Sequence, residues 1–186
     1  VLVAAAVGLV TAGGDVLLAG LLLVSLVGQF ELYRIFGMEK SLAGGIGYLG
    51  AVLYYLDLRF SFLPGFEVFT LGLLVLLMAA YVFAFPKYQA DQVFAAFGGV
   101  FYVPVMLAGI YQARALPAGA YLVWLIFLCS WGCDTCAYCV GVRIGKHKMT
   151  PKLSPKKSIE GAVGGCVGAA LLTLLYGFLF QEGMKL

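Results

Sequence analysis

Residues 66–85 read FEVFTLGLLVLLMAAYVFAF, twenty residues with one charge, Glu67. At about 1.5 Å per helical residue such a run reaches across a hydrocarbon core of about 30 Å. Outward from it the same pattern recurs at 42–56 and 16–30 on one side and at 93–111, 118–140 and 162–180 on the other. A shorter run opens the chain at 1–11. Hydrophobic residues make up 63% of the sequence and charged residues 11%, with a mean hydropathy of +1.01, well outside the soluble globular range. The expectation is an all-α, polytopic helical membrane protein of about seven apolar segments, forming a single membrane domain over 1–186. The chain starts at Val1 inside an apolar run with no basic stretch before it, so the first span is expected to be truncated rather than a signal peptide. With Lys185 and Leu186 closing the chain soon after the last run, both ends read as cuts.

Short polar breaks separate the runs, and Lys and Arg are unevenly shared among them. One set of loops carries Arg34, Lys40, Lys87, Arg143, Lys146, Lys148, Lys152, Lys156 and Lys157; the other carries Arg59, Arg114 and Lys185. Nine against three places the first set in the cytoplasm. The 141–161 stretch becomes a cytoplasmic basic loop. The protein is expected to be integral to a membrane (the inner membrane, if the source is bacterial) with its active face cytoplasmic.

Three patterns invite specialised readings. Gly45, Gly47 and Gly50 spell G-x-G-x-x-G, but the dinucleotide fingerprint has meaning only between a strand and a helix, and here it lies in a span. Cys133, Cys136 and Cys139 recur at intervals of three, a spacing compatible with shared metal ligation; as members of an apolar run they read by default as small buried hydrophobes. Gly161, Gly164, Gly165 and Gly168 share a helix start and give two small-xxx-small spacings, suited to close helix packing and compatible with backbone N–H groups facing a phosphate.

The polar island DTCAYCVGVRIGKHKMTPKLSPKKSIEGAVGG, Asp134 to Gly165, concentrates the chemistry. Asp134 follows sixteen mostly apolar residues and should sit near the cytoplasmic end of its span. A carboxylate inside a membrane is retained when something compensates it: a divalent cation, a facing Lys, or, more blandly, Arg143 at the interface. Lys156 and Lys157 offer point charges for phosphate, and Ser154 and Ser158 offer hydroxyls. Ser158 and Glu160 also suit the start of the last helix as cap and first-turn acid. His147, the single histidine, stands between two lysines and receives no catalytic role. Glu31 is expected to pair with Arg34.

Asp134-Thr135-x-Ala137-Tyr138-x-x-Gly141, then Gly145-Lys146-His147-Lys148 and SPKKSIEGAVGG, resemble phosphatidate cytidylyltransferase, the CDP-diacylglycerol synthase family; Glu31-Leu32-Tyr33-Arg34 after an early span fits it too. The resemblance implies transfer of a cytidylyl group from CTP to phosphatidic acid, dependent on Mg2+. It implies Asp134 and Lys157 as catalytic residues, with Asp134 as metal ligand. Ser154, Lys156, Lys157, Ser158, Glu160, Gly161, Gly164 and Gly165 would bind or shape the site for substrate. CTP, phosphatidic acid and the bilayer are the partners implied, nucleic acid is not, and a homodimer is compatible. Cys136, Cys139 and Ser158 stand where the family usually has Gly, an aromatic and Thr. The family's C-terminal signature (a Lys-Asp pair, a His-Gly-Gly turn and an Asp-Arg-x-Asp stretch) does not occur in the 186 residues. One Asp falls short of the several oxygen ligands a divalent site generally needs, so activity of this chain alone is not expected. A CTP-dependent enzyme of another lipid, a transporter, and a non-catalytic lipid-binding protein are the competing readings; the transporter predicts internal repeats, which the sequence lacks.

Overall fold

Between Ala12 and Val16 the chain must reverse its course, and two glycines allow it: Gly13 and Gly14 hold φ of 65° and 50°, the left-handed region that a side chain disfavours. The computed structural model describes residues 2–152 and 154–183. Among the described residues the chain forms seven helices: α1 (Leu2–Ala12), α2 (Gly14–Ile35), α3 (Leu42–Phe60), α4 (Phe66–Phe83), α5 (Ala90–Ala115), α6 (Gly119–Ile144) and α7 (Ile159–Leu179). A small antiparallel hairpin, β1 (Lys148–Thr150) and β2 (Ser154–Ser158), joins α6 to α7. Five helices, α2 and α4 to α7, are long and apolar enough to cross a membrane. The architecture is that of an all-α membrane protein, with one helix on each of the seven apolar segments.

The chain packs as two compact units, residues 1–112 and 113–186. In the first, glycines let α3 approach its neighbours. A Cβ on Gly47 would collide with the Tyr33 hydroxyl, and one on Gly50 would press Leu73 at 3.1 Å. The G-x-G-x-x-G positions are therefore packing positions on a helix. Tyr33, fully buried, donates from its hydroxyl to Ala96 O (2.7 Å) and accepts from Gln29 Nε2 (2.6 Å). Tyr55 donates to Pro104 O (3.3 Å) with Ser25 Oγ 2.8 Å from its oxygen. Pro104 lies in a π-turn over 101–105 of α5, where a missing N–H disturbs the helical ladder and a side chain from α3 takes up a carbonyl. Glu31 and Arg34 do not pair: both are exposed on α2, and neither has an ion-pair partner among the described residues.

In the second unit α6 and α7 run antiparallel. Tyr176 on α7 donates to Tyr121 O near the start of α6 (3.0 Å), while Gly161 at the start of α7 meets Gly141 near the end of α6. Large apolar side chains such as Leu171, Leu174 and Phe178 remain exposed along α7, which suits hydrocarbon rather than water.

Candidate functional site

Helix α6 does not stop where the apolar run stops. It continues through Gly141-Val142-Arg143-Ile144 and ends at Gly145, whose N–H still reaches Gly141 O (3.1 Å). Gly145 is required there because the Ser158 hydroxyl occupies the place a Cβ would take. Ten residues of helix therefore follow Asp134, about 15 Å of rise. Asp134 is exposed on the flank of α6 and has no ion-pair partner among the described residues, so the alternative of an interfacial pair with Arg143 or a neighbouring Lys is not realised. The 3-4-3-4 spacing of Trp124, Phe127, Trp131, Asp134 and Tyr138 puts them on one helix face. Trp124, Phe127, Leu128, Trp131, Gly132 and Tyr176 line an apolar groove of about 310 Å³, which ends one turn short of Asp134.

At the other end of this polar island, where the sequence alone indicates a loop and a helix start, the chain folds into a hairpin. Lys148 pairs with Ser158 and Thr150 with Ser154, so three β2 residues, Pro155 to Lys157, bulge opposite Met149 alone. Ser158 leaves the strand as the cap of α7: buried, it accepts from Gly161 N at 3.1 Å, satisfying one of the helix's free donors. Lys156 and Lys157 project exposed from β2 and Ser154 is half-buried. None of Arg143, Lys146, Lys148, Lys152, Lys156 and Lys157 has an ion-pair partner among the described residues. The hairpin thus presents uncompensated positive charge.

Glu160 holds this arrangement together. Its carboxylate accepts from Lys146 N (3.1 Å) and His147 N (3.2 Å), and meets His147 Nδ1 at 2.6 Å. Ile159 N in turn donates to His147 O at 2.9 Å. The chain leaving α6 is tied to the first turn of α7, where an acid also suits the helix dipole. His147, given no role from sequence, is half of this clamp. Its partner lies thirteen residues away across a hairpin, a distance no local pattern signals.

The glycines face α6. A Cβ on Gly161 would stand 2.9 Å from Ala137 O, on Gly164 2.6 Å from the Val140 side chain, on Gly165 2.8 Å from Cys133 O, and on Gly168 it would meet Cys136 Sγ. The complementary stripe on α6 is Cys133, Ala137 and Gly141, small residues at intervals of four. Close backbone packing is what these residues do. The glycine face is occupied by α6, and a homodimer would need another surface. Among the described residues no group of three His, Cys, Asp or Glu side chains is placed to hold a metal, the spaced cysteines included.

The sequence profile of the cytidylyltransferase family matches residues 1–185. The chain belongs to the cytidylyltransferase family. No curated protein matches the sequence. Membership makes the chemistry CTP-dependent cytidylyl transfer and the protein a nucleotidyltransferase. The exposed lysines of the hairpin suit a polyanionic nucleotide, and the apolar groove and long apolar helices suit an acceptor taken from a membrane. Asp134 is one exposed carboxylate on this face, and among the described residues no group of His, Cys, Asp or Glu side chains joins it to complete a divalent site. From Asp134 to the level of Gly141, against which Ser158 packs, the rise is about 10 Å. The carboxylate and the hairpin do not touch, and a bound substrate would have to bridge them.

Proposed function

We propose that this cytidylyltransferase uses phosphatidic acid as acceptor, forming CDP-diacylglycerol and pyrophosphate. The observation that carries the reading is the sequence of surfaces along α6: an aromatic groove, then Asp134 on the same face, then a hairpin of unpaired lysines at the helix end. An acceptor with acyl chains and a phosphate headgroup matches that order, with its apolar part beside the aromatic face and its phosphate toward the basic end. A lipid phosphate oxygen attacks the α-phosphorus of CTP, the new P–O bond forms as the bond to the β-phosphate oxygen breaks, and pyrophosphate leaves. No protein nucleophile is needed; the protein's part is positioning and neutralisation of charge.

Lys156, Lys157 and Ser154 hold phosphates of CTP or lipid. Asp134 would be the one protein carboxylate to hold Mg2+, which would supply charge neutralisation at the phosphates. Ser158, Glu160, Gly161, Gly164 and Gly165 act by position: they fix the hairpin on α6 and keep α7 close enough to present it. The loops on this side are assigned to the cytoplasm, where CTP is found, while the lipid enters laterally from the leaflet.

The test is product identity. The full-length gene product in nanodiscs, with radiolabelled CTP and Mg2+, is offered phosphatidic acid, an isoprenoid phosphate or an isoprenoid alcohol in turn. Labelled CDP-diacylglycerol from phosphatidic acid supports the assignment. Label transferred only to an isoprenoid acceptor replaces phosphatidic acid as substrate, and label transferred to none refutes it.

A further inference from the structure

The first unit carries a polar cavity that the transfer site does not use. It has a volume of about 320 Å³ and is lined by Gly37, Glu39, Lys40, Ser41, Lys87, Tyr88 and Gln92. The lining comes from the turns that precede α3 and α5, so the positive ends of two long helices stand at its wall. Lys40 and Lys87 are exposed at their ends and neither has an ion-pair partner among the described residues, although Glu39 shares the lining. Lys87 Nζ lies 5.7 Å from the centre of the Tyr88 ring.

Tyr88 distinguishes this cavity from a solvated gap between loops. It is 7% exposed, and its oxygen accepts from Leu42 N at 3.0 Å. That bond uses the acceptor and leaves the phenolic proton without an acceptor among the described residues. A buried hydroxyl normally spends its proton on a partner. By contrast Ser41 is satisfied on both sides, donating to Met38 O (2.8 Å) and accepting from Gly44 N (3.0 Å). Gln92 is fixed by Gln89 N on its oxygen and by Phe36 O on one amide hydrogen, with a second hydrogen left. What the cavity has to offer is donors and positive charge.

We propose that this cavity binds a phosphate-bearing anion, with Lys40, Lys87 and the Tyr88 hydroxyl as its donors. Two mobile ammonium groups and one fixed O–H suit the several oxygens of a phosphate, and Glu39 limits the net charge of the lining to one positive. The phosphate can come from a lipid headgroup or from solution, because the same donors serve both. The proposal does not depend on phosphatidic acid being the acceptor for transfer.

The test is the reactivity of individual lysines in the full-length gene product held in phosphatidylcholine nanodiscs. Acetylation of each lysine is measured by peptide mass spectrometry alone, with phosphatidic acid added to the disc, and with inorganic phosphate added to the buffer. Lys40 and Lys87 are expected to be protected about tenfold, the factor that one charge-assisted hydrogen bond confers. The protection should persist in a Lys156→Gln, Lys157→Gln variant and weaken in Tyr88→Phe. Protection by the lipid alone identifies a headgroup, and protection by free phosphate identifies a soluble ligand. No protection by either, equal protection of every lysine including Lys152, or full protection in Tyr88→Phe overturns the assignment.

Discussion

Replacing Gly165 by Ala tests whether the glycines of α7 act through packing or through their backbone N–H groups. The substitution keeps the N–H, so a role as phosphate donor predicts no effect. The packing account predicts a large one. The added Cβ would lie 2.8 Å from Cys133 O, 2.9 Å from Ala137 Cβ and 3.1 Å from Cys133 Sγ. Two of these belong to the backbone or to a Cβ and cannot swing aside. Restoring an ordinary contact of 3.4 Å from 2.8 Å needs a local separation of 0.6 Å between α6 and α7. Overpacking of this kind costs about 1–3 kcal/mol. At about 2–4 °C per kcal/mol for a chain of this size, the midpoint of thermal unfolding in nanodiscs should fall measurably. Because Gly165 is less than two turns from Ser158 and Glu160, the shift moves the hairpin, and displacements approaching 1 Å cost up to about a hundredfold in rate. Gly177 on the same helix has nothing within 4 Å of its added Cβ and is the control. Gly177→Ala should be neutral or slightly stabilising, by roughly 0.5–1 kcal/mol of helix propensity. Adding Ala137→Gly to Gly165→Ala removes one of the three clashes and should restore part of the loss. If Gly165→Ala unfolds and turns over as Gly177→Ala does, the packing account is wrong.

Two other perturbations follow from the same geometry. Glu160→Gln replaces an acceptor-only group with one that presents N–H to the N–H groups of Lys146 and His147; amide exchange at 146–150 should speed up and transfer should fall at least about tenfold, as expected when a positioning contact is lost. Unchanged exchange with lost transfer would instead give Glu160 a direct role with substrate. Tyr33→Phe removes bonds to Ala96 O and Gln29 Nε2, each about 0.6 kcal/mol on average and up to about 1.7 in a membrane, for a loss of roughly 1–3 kcal/mol. Thermal unfolding reads it, and an unchanged midpoint would show that the pair is not stabilising.

Composition and run length made the membrane class legible because hydrocarbon allows few solutions to a polar backbone. The end of α6 was not legible. Gly141 and Arg143 look like the start of a loop, but a helix leaving the membrane can continue through polar residues at no penalty, and this one runs on to Ile144. The hairpin was hidden for a different reason. Pro155 and adjacent lysines argue against a strand, yet β2 is an edge strand that bulges at Pro155, where a missing N–H leaves no pairing unmade. The glycine spacing was readable as packing, while its partner stripe was not, because Cys133, Ala137 and Gly141 become neighbours of the glycines only once α6 and α7 pack antiparallel. The His147–Glu160 pair depends on the hairpin's register and could not be found before the hairpin itself.

On the proposed function, α6 and the hairpin carry cytidylyl transfer to a lipid phosphate, and Asp134 and Lys157 are indispensable to it. The most direct measurement is formation of CDP-diacylglycerol by the full-length gene product in nanodiscs, with CTP, phosphatidic acid and Mg2+, for wild type, Asp134→Asn and Lys157→Ala side by side. Product from the wild type, with loss in both variants at unchanged thermal stability, is the predicted result. Undiminished product from a folded Asp134→Asn variant would contradict it.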